Sequence, residues 1–186
     1  MAVGMRRAKR PASALLAGPY GHPYHPMLVT IPIGAWVASL VFDVASHLAS
    51  RAPFLATGSE WLIGVGIVGA VIAAIVGFLD LAVIPLGTAA SRTANAHMLI
   101  NLTVTCAYAG NFLWRYRTST VNAPVRPAMV VLSAACVAAL FVSGYLGGKL
   151  AYRYGVRVAA EETQAEGYVT DGDGMDAGHR APRRQA

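Results

Sequence analysis

The residues of this chain that could do chemistry are a few histidines, acids and cations set among long apolar runs. His22 and His25 lie in the segment GHPYHP, and His97 opens a later apolar run. Imidazole ligates haem iron, copper, zinc and nickel, and two histidines at equal depth on facing helices are what a bis-His b-type haem requires. His97 with His25 or His22 meets that depth condition, so these three are the candidate haem or transition-metal ligands. Asp80 and Asn101 fall near the same depth, where Asp80 could orient a histidine as an outer-sphere acceptor. The bland alternative is that histidines at a membrane surface simply hydrogen-bond to backbone or to an acid such as Asp80.

Asp43 stands apart, roughly 27 Å along the helix axis from His25 at the α-helical rise. It shares a helical face with Ser39 and His47. Its two readings are a packing carboxylate, bonded to hydroxyls or the Trp36 indole, and one half of a proton path with Asp80. Lys149 and Arg153, followed by Arg157, read as cations that snorkel to headgroups, or as a site for an anionic phosphate or a quinone headgroup. Other chemistry is not signalled. There is no Gly-rich nucleotide loop, no HExxH and no nucleophile elbow. Cys106 and Cys136 each sit alone in an apolar run, as reduced thiols packed like small hydrophobes.

Stepping from residues to the elements that carry them, 55% of the 186 residues are hydrophobic and 13% charged. Four segments, 26–50, 61–84, 96–114 and 128–152, are apolar and near or above the ~20 residues needed to cross a bilayer. Short connections make neighbours antiparallel. The fold class expected is therefore all-α, an integral membrane up-down-up-down four-helix bundle. It divides as a basic N-terminal segment 1–21, a transmembrane domain 22–158 and a disordered polar tail 159–186. A cleaved signal peptide is disfavoured, because the first apolar run is long for one and contains Pro32 and Asp43.

The net charge of +6 lies at the chain ends and in short loops, which suits anionic headgroups and not nucleic acid. Arg6, Arg7, Lys9, Arg10, Arg92, Lys149, Arg153 and Arg157 fall on the side of the N-terminus, against Arg51, Arg115, Arg117 and Arg126 opposite. Both termini are thus expected in the cytoplasm, with the chain in the cell inner membrane.

An antiparallel bundle brings His22, His25, Asp80, His97, Asn101, Lys149 and Arg153 to one membrane face whichever way it inserts. Pro23 and Pro26 bias the preceding histidines away from helix, so the pair reads as an extended collar. Pro26 suits the first helical position and Pro32 should kink the helix near Leu28. His97, Asn101, Thr105 and Tyr108 form a polar stripe facing inward. Gly69, Ala73, Gly77 and Asp80 line up on one helix and Gly144 with Gly148 on another, as close-packing faces.

These residues carry a resemblance. GHPYHPMLVTIPIGAWVASLVFD, GFLDLAVIP, AHMLINL and GYLGGKLAYRYGVRV, spanning about 22–158, resemble the bacterial membrane family filed as domain of unknown function 2231. The resemblance implies a four-helix membrane protein, joined in some members to Rieske-type iron–sulfur domains, and it marks His22, His25, Asp43, Asp80, His97, Asn101 and Arg153. Tyr154 departs from the pattern, where relatives often carry histidine, and no Rieske ligand boxes follow. The functions in contention are a small redox subunit with a haem or metal site, a cofactor-free scaffold or partner subunit, and a proton-coupled transporter. The partners expected are the lipid bilayer and either a redox protein or a second copy as a homodimer.

Overall fold

The computed structural model describes residues 3–11, 17–49, 52–118 and 124–168, and its named elements are all helical. They are α1 (Val3–Lys9), α2 (Tyr24–Leu28), α3 (Thr30–Ser46), α4 (Ala52–Leu81), α5 (Ala89–Thr118), α6 (Pro127–Gly148) and α7 (Glu161–Ala165). A π-helical turn, Lys149–Arg153, prolongs α6, and 3-10 turns occupy Pro19–Gly21 and Glu166–Tyr168. Arg51 and the tail from 169 to 186 lie outside the described residues.

Local chemistry sets the boundaries. Pro32 has no amide to give the Leu28 carbonyl, so one rung of the ladder is lost where α2 passes into α3 at Val29, which itself keeps a helical backbone. Thr88 caps α5, its hydroxyl accepting from the Ser91 amide at 3.0 Å. Pro127 starts α6, where a missing amide costs nothing. The α4 helix begins well before the apolar run expected at 61, because APFLATGSE continues the helix without a breaker.

Among the described residues three helices are long and apolar enough to cross a membrane: Tyr24–Ala45, Pro53–Leu81 and Pro127–Arg153. The expected third span, 96–114, lies within α5, which is long enough but too polar to qualify alongside them. The reason is that α5 turns Asn101, Tyr108, Asn111 and Arg115 inward, where other helices satisfy them.

Helices α3 and α4 pack most extensively, α5 packs on α4 and α6, and α6 returns to α3. Trp36, Ile63, Val104, Tyr108 and Cys136 form the apolar centre. The Trp36 and Tyr108 rings stack with centroids 4.3 Å apart and planes within 12°. Gly66 permits this, because a Cβ there would collide with the Trp36 indole. The distribution of polarity is inverted relative to a water-soluble protein. Ser39, Asp43, Ser59, Asn111, Arg115, Ser133 and Ser143 are buried, while Val41, Trp61, Ile75, Phe78, Leu99 and Phe141 are exposed. An apolar outside around a hydrogen-bonded polar inside is what a bilayer selects.

Candidate functional site

At one end of the helices His25 and His97 face each other. His25 is the second residue of α2, so it is helical and not part of an extended collar. Pro26 then falls in the first turn, where proline is tolerated, and helix formation overrides the pre-proline bias. Its ring lies on Gly77 of α4, where a Cβ would come within 2.7 Å of it. His97 lies on Gly147 of α6 in the same manner, 3.3 Å from a hypothetical Cβ. The two ring centroids are 6.4 Å apart with planes crossing at 78°.

Backbone carbonyls favour the same tautomer in both rings, although the Ser143 hydroxyl also lies 2.9 Å from His97 Nδ1. His25 Nδ1 is 2.9 Å from the Ala73 carbonyl and His97 Nδ1 is 2.9 Å from the Ser143 carbonyl. A carbonyl can only accept, so in each neutral ring Nδ1 carries the proton and Nε2 the lone pair. Asn101 Nδ2 has three acceptors within reach: Ser143 Oγ at 2.6 Å, the His97 carbonyl at 2.8 Å and His97 Nε2 at 3.2 Å. An amide nitrogen has two hydrogens, so the longest contact, to His97 Nε2, is the one left over.

The other members of the expected cluster go elsewhere. His22 Nδ1 meets the Tyr20 hydroxyl at 2.8 Å, and no group of three histidine, cysteine or acidic side chains able to hold a metal ion forms among the described residues. The set His22, His25 and His97 is therefore not assembled as a three-ligand metal site. Asp80 does not bond a histidine nitrogen: it faces Arg157, Oδ1 to Nε 3.1 Å, with both side chains nearly buried. Arg157 is held there by a left-handed backbone conformation and by its amide, which donates to the Ala8 carbonyl at 3.1 Å. Lys149 and Arg153 sit beside each other in a groove with Tyr145, Gly148 and Tyr152. Gly144, expected to pack closely, faces open space, and Gly147 takes the packing role.

At the opposite end lies a constellation that residue patterning had only half indicated. Asp43 is fully buried and paired with Arg115, whose guanidinium donates to both carboxylate oxygens at 2.8 and 2.7 Å. Arg115 Nε donates to Asn111 Oδ1 at 3.0 Å, Asn111 Nδ2 to Ser133 Oγ at 3.1 Å, and Ser59 Oγ to Asp43 Oδ1 at 2.5 Å. Trp36 takes no part, since its indole donates to the Ile63 carbonyl. Ser46, not the exposed His47, continues the buried face of α3, donating to the Asp43 carbonyl and accepting from the Val125 amide. The signal was present in sequence: the stripe His97, Asn101, Thr105, Tyr108 continues by three and four to Asn111 and Arg115.

Helices with an apolar exterior, and with their ionisable groups paired inside, define the class: an all-helical integral membrane protein. The family model described as "Predicted membrane protein (DUF2231)" matches residues 21–160, and the chain belongs to that family. No protein of curated function and no solved structure gives a match.

Proposed function

We propose that the protein is a small redox subunit of the cell inner membrane in which His25 and His97 would hold a b-type haem. The observation that carries this reading is the shared tautomer: two neutral imidazoles from separate helices, each with Nδ1 tied to a carbonyl and an Nε2 lone pair left over. Two rings bound to one metal at about 2 Å each have centroids roughly 6 Å apart, close to the separation found. With only two protein donors, the group that fits is one that brings its own equatorial ligands, which a porphyrin does and a bare zinc or copper ion does not. Such a haem would supply one-electron transfer. The chain's part is to fix the two rings through the Ala73 and Ser143 carbonyls, to keep water from them, and to hold the Asp80–Arg157 charge pair nearby.

The same reading has four crossings, completing the up-down-up-down bundle. Its support is that α1 and the segment after α6 touch: the Arg157 amide bonds the Ala8 carbonyl, and Lys9 Nζ the Ala159 carbonyl at 3.0 Å. Contact between the segments flanking the helices fits an even number of crossings, which supports a reading in which α5 crosses with the three apolar helices. The excess of Lys and Arg on that side supports a cytoplasmic position for both ends.

A second reading, a cofactor-free scaffold, is favoured by one observation. Asp43 and Asp80 are each matched by an arginine within the chain, which leaves the polar ends of the helices closed on themselves.

The test is an ultraviolet–visible spectrum of protein purified from haem-supplemented cells. The expected result is a dithionite-sensitive Soret band, lost in His25→Ala and in His97→Ala and kept in His22→Ala. A colourless, folded wild-type protein would overturn the haem reading and leave the scaffold.

A further inference from the structure

Where α6 reaches the membrane surface, the helix widens into the π turn Lys149–Arg153, a local irregularity that recurs at functional positions. On its outer side Tyr145, Gly148, Lys149, Tyr152 and Arg153 line a groove of about 390 Å³. The Lys149 ammonium stands 5.8 Å from the centre of the Tyr154 ring, and Lys149 shares the lining of the groove with Arg153. No carboxylate pairs with either cation among the described residues, in contrast to Arg115 and Arg157, which face Asp43 and Asp80. The groove is therefore a place of uncompensated positive charge and not another internal ion pair.

Its setting says what would fill it. Tyr145 and Tyr152 are 74% and 92% exposed, and tyrosine with both a ring and a hydroxyl concentrates at the headgroup level of a bilayer. Below the groove, Phe141 and Val142 are exposed on α6, with Phe141 one turn before Tyr145 on the same face. Cations at the surface above an apolar track match one molecule with an anionic head and an acyl tail. Gly148 has no side chain and an ordinary helical backbone, so the floor of the groove is open without any conformational need for glycine.

We infer that this groove is a binding site for an anionic phospholipid, with the headgroup phosphate between Lys149 and Arg153 and an acyl chain along Phe141. This does not depend on the haem reading, since the histidines lie inside the helices and the groove outside them. A free phosphate shares the headgroup chemistry but makes no use of the apolar track.

The full-length protein, purified in a neutral detergent, would be titrated with phosphatidylglycerol and phosphatidylcholine and its bound lipid counted by native mass spectrometry. The expected result is selective retention of phosphatidylglycerol. Selectivity should fall at least about tenfold in the double variant K149Q/R153Q, since each juxtamembrane cation contributes about one kcal/mol toward an anionic surface. Gly148→Leu, which fills the floor and leaves both charges, should lower it as well, whereas Arg92→Gln on the same side should keep it. If the double variant does not fold, Gly148→Leu decides alone. Unchanged selectivity in the folded variants would overturn the inference. So would inorganic phosphate in excess, if it displaced the lipid or matched its thermal stabilisation.

Discussion

At the scale of single residues, the Asp43–Arg115 pair is an ion pair held almost entirely out of water. Its guanidinium is only 5% exposed and its carboxylate is fully buried, so neither charge has water to fall back on. Removing one partner strands the other, which costs on the order of 3–5 kcal/mol for a buried pair. Arg115→Gln and Asp43→Asn are each expected to lower the unfolding midpoint in detergent strongly. The double variant should lose much less than the sum, because the stranded charge is gone from both sides of the cycle. Additive losses would show that the pair is not coupled. Asp43 was legible as an intramembrane acid in need of partners and Arg115 as the next step of the α5 polar stripe, but their pairing was not. Arg115 stands in the last turn of its helix, where a long side chain can run outward to headgroups as easily as inward, and only the packing of Asn111 and Ser133 beside it settles the direction. Leaving out Arg115 and Arg157 as internal partners, the sequence still has seven Lys and Arg on one expected side against three on the other.

Among the elements, glycine position decides how the helices meet, and helix rotation is what the apolar runs left undetermined. The runs are apolar nearly all round, so in lipid they carry little periodic signal of which face turns inward. Sequence spacing placed Gly69, Ala73 and Gly77 on one packed face of α4, where they do face α2 and α3: a Cβ at Gly69 would meet Ile31 and Pro32, and one at Gly77 the His25 ring. The same reasoning misplaced Gly144, which borders open space, and overlooked Gly66, against which the Trp36 indole lies. Two substitutions separate these roles. Gly66→Ala should cost roughly 1–3 kcal/mol, the usual effect of overpacking, and disturb the near-ultraviolet dichroism of the Trp36–Tyr108 stack. Gly144→Ala should be neutral or add up to about 1 kcal/mol by restricting the unfolded chain. Equal destabilisation by both would mean that α6 is rotated from the arrangement described here.

For the whole molecule, the polarity of α5 and the meeting of the chain ends bear on the same question. Apolar length alone finds three helices able to cross. That measure charges Asn101, Asn111 and Arg115 of α5 as if exposed to lipid, whereas they bond to α3, α4 and α6. On the four-crossing reading proposed above, α5 would enter the bilayer together with its partners, so that its cost is set by the assembled helices and not by its own composition. The ends of the described chain add an independent constraint. Gly4 lies against Pro85, Arg157 reaches back to Ala8, and Lys9 to Ala159, which draws α1, the α4–α5 connection and the segment after α6 to one surface. Reporter fusions that fluoresce only in the cytoplasm should therefore signal at the N-terminus, after Gly87 and after Tyr168, and be dark after Thr118. A three-crossing chain would instead light up at only one terminus. Arg157→Gln adds a structural check on the same surface: by leaving Asp80 without its cation it should loosen the contact of the two chain ends and speed proteolysis of the N-terminal segment. The reporter pattern should stay unchanged, since the crossings are held by α3 to α6 and not by that clasp.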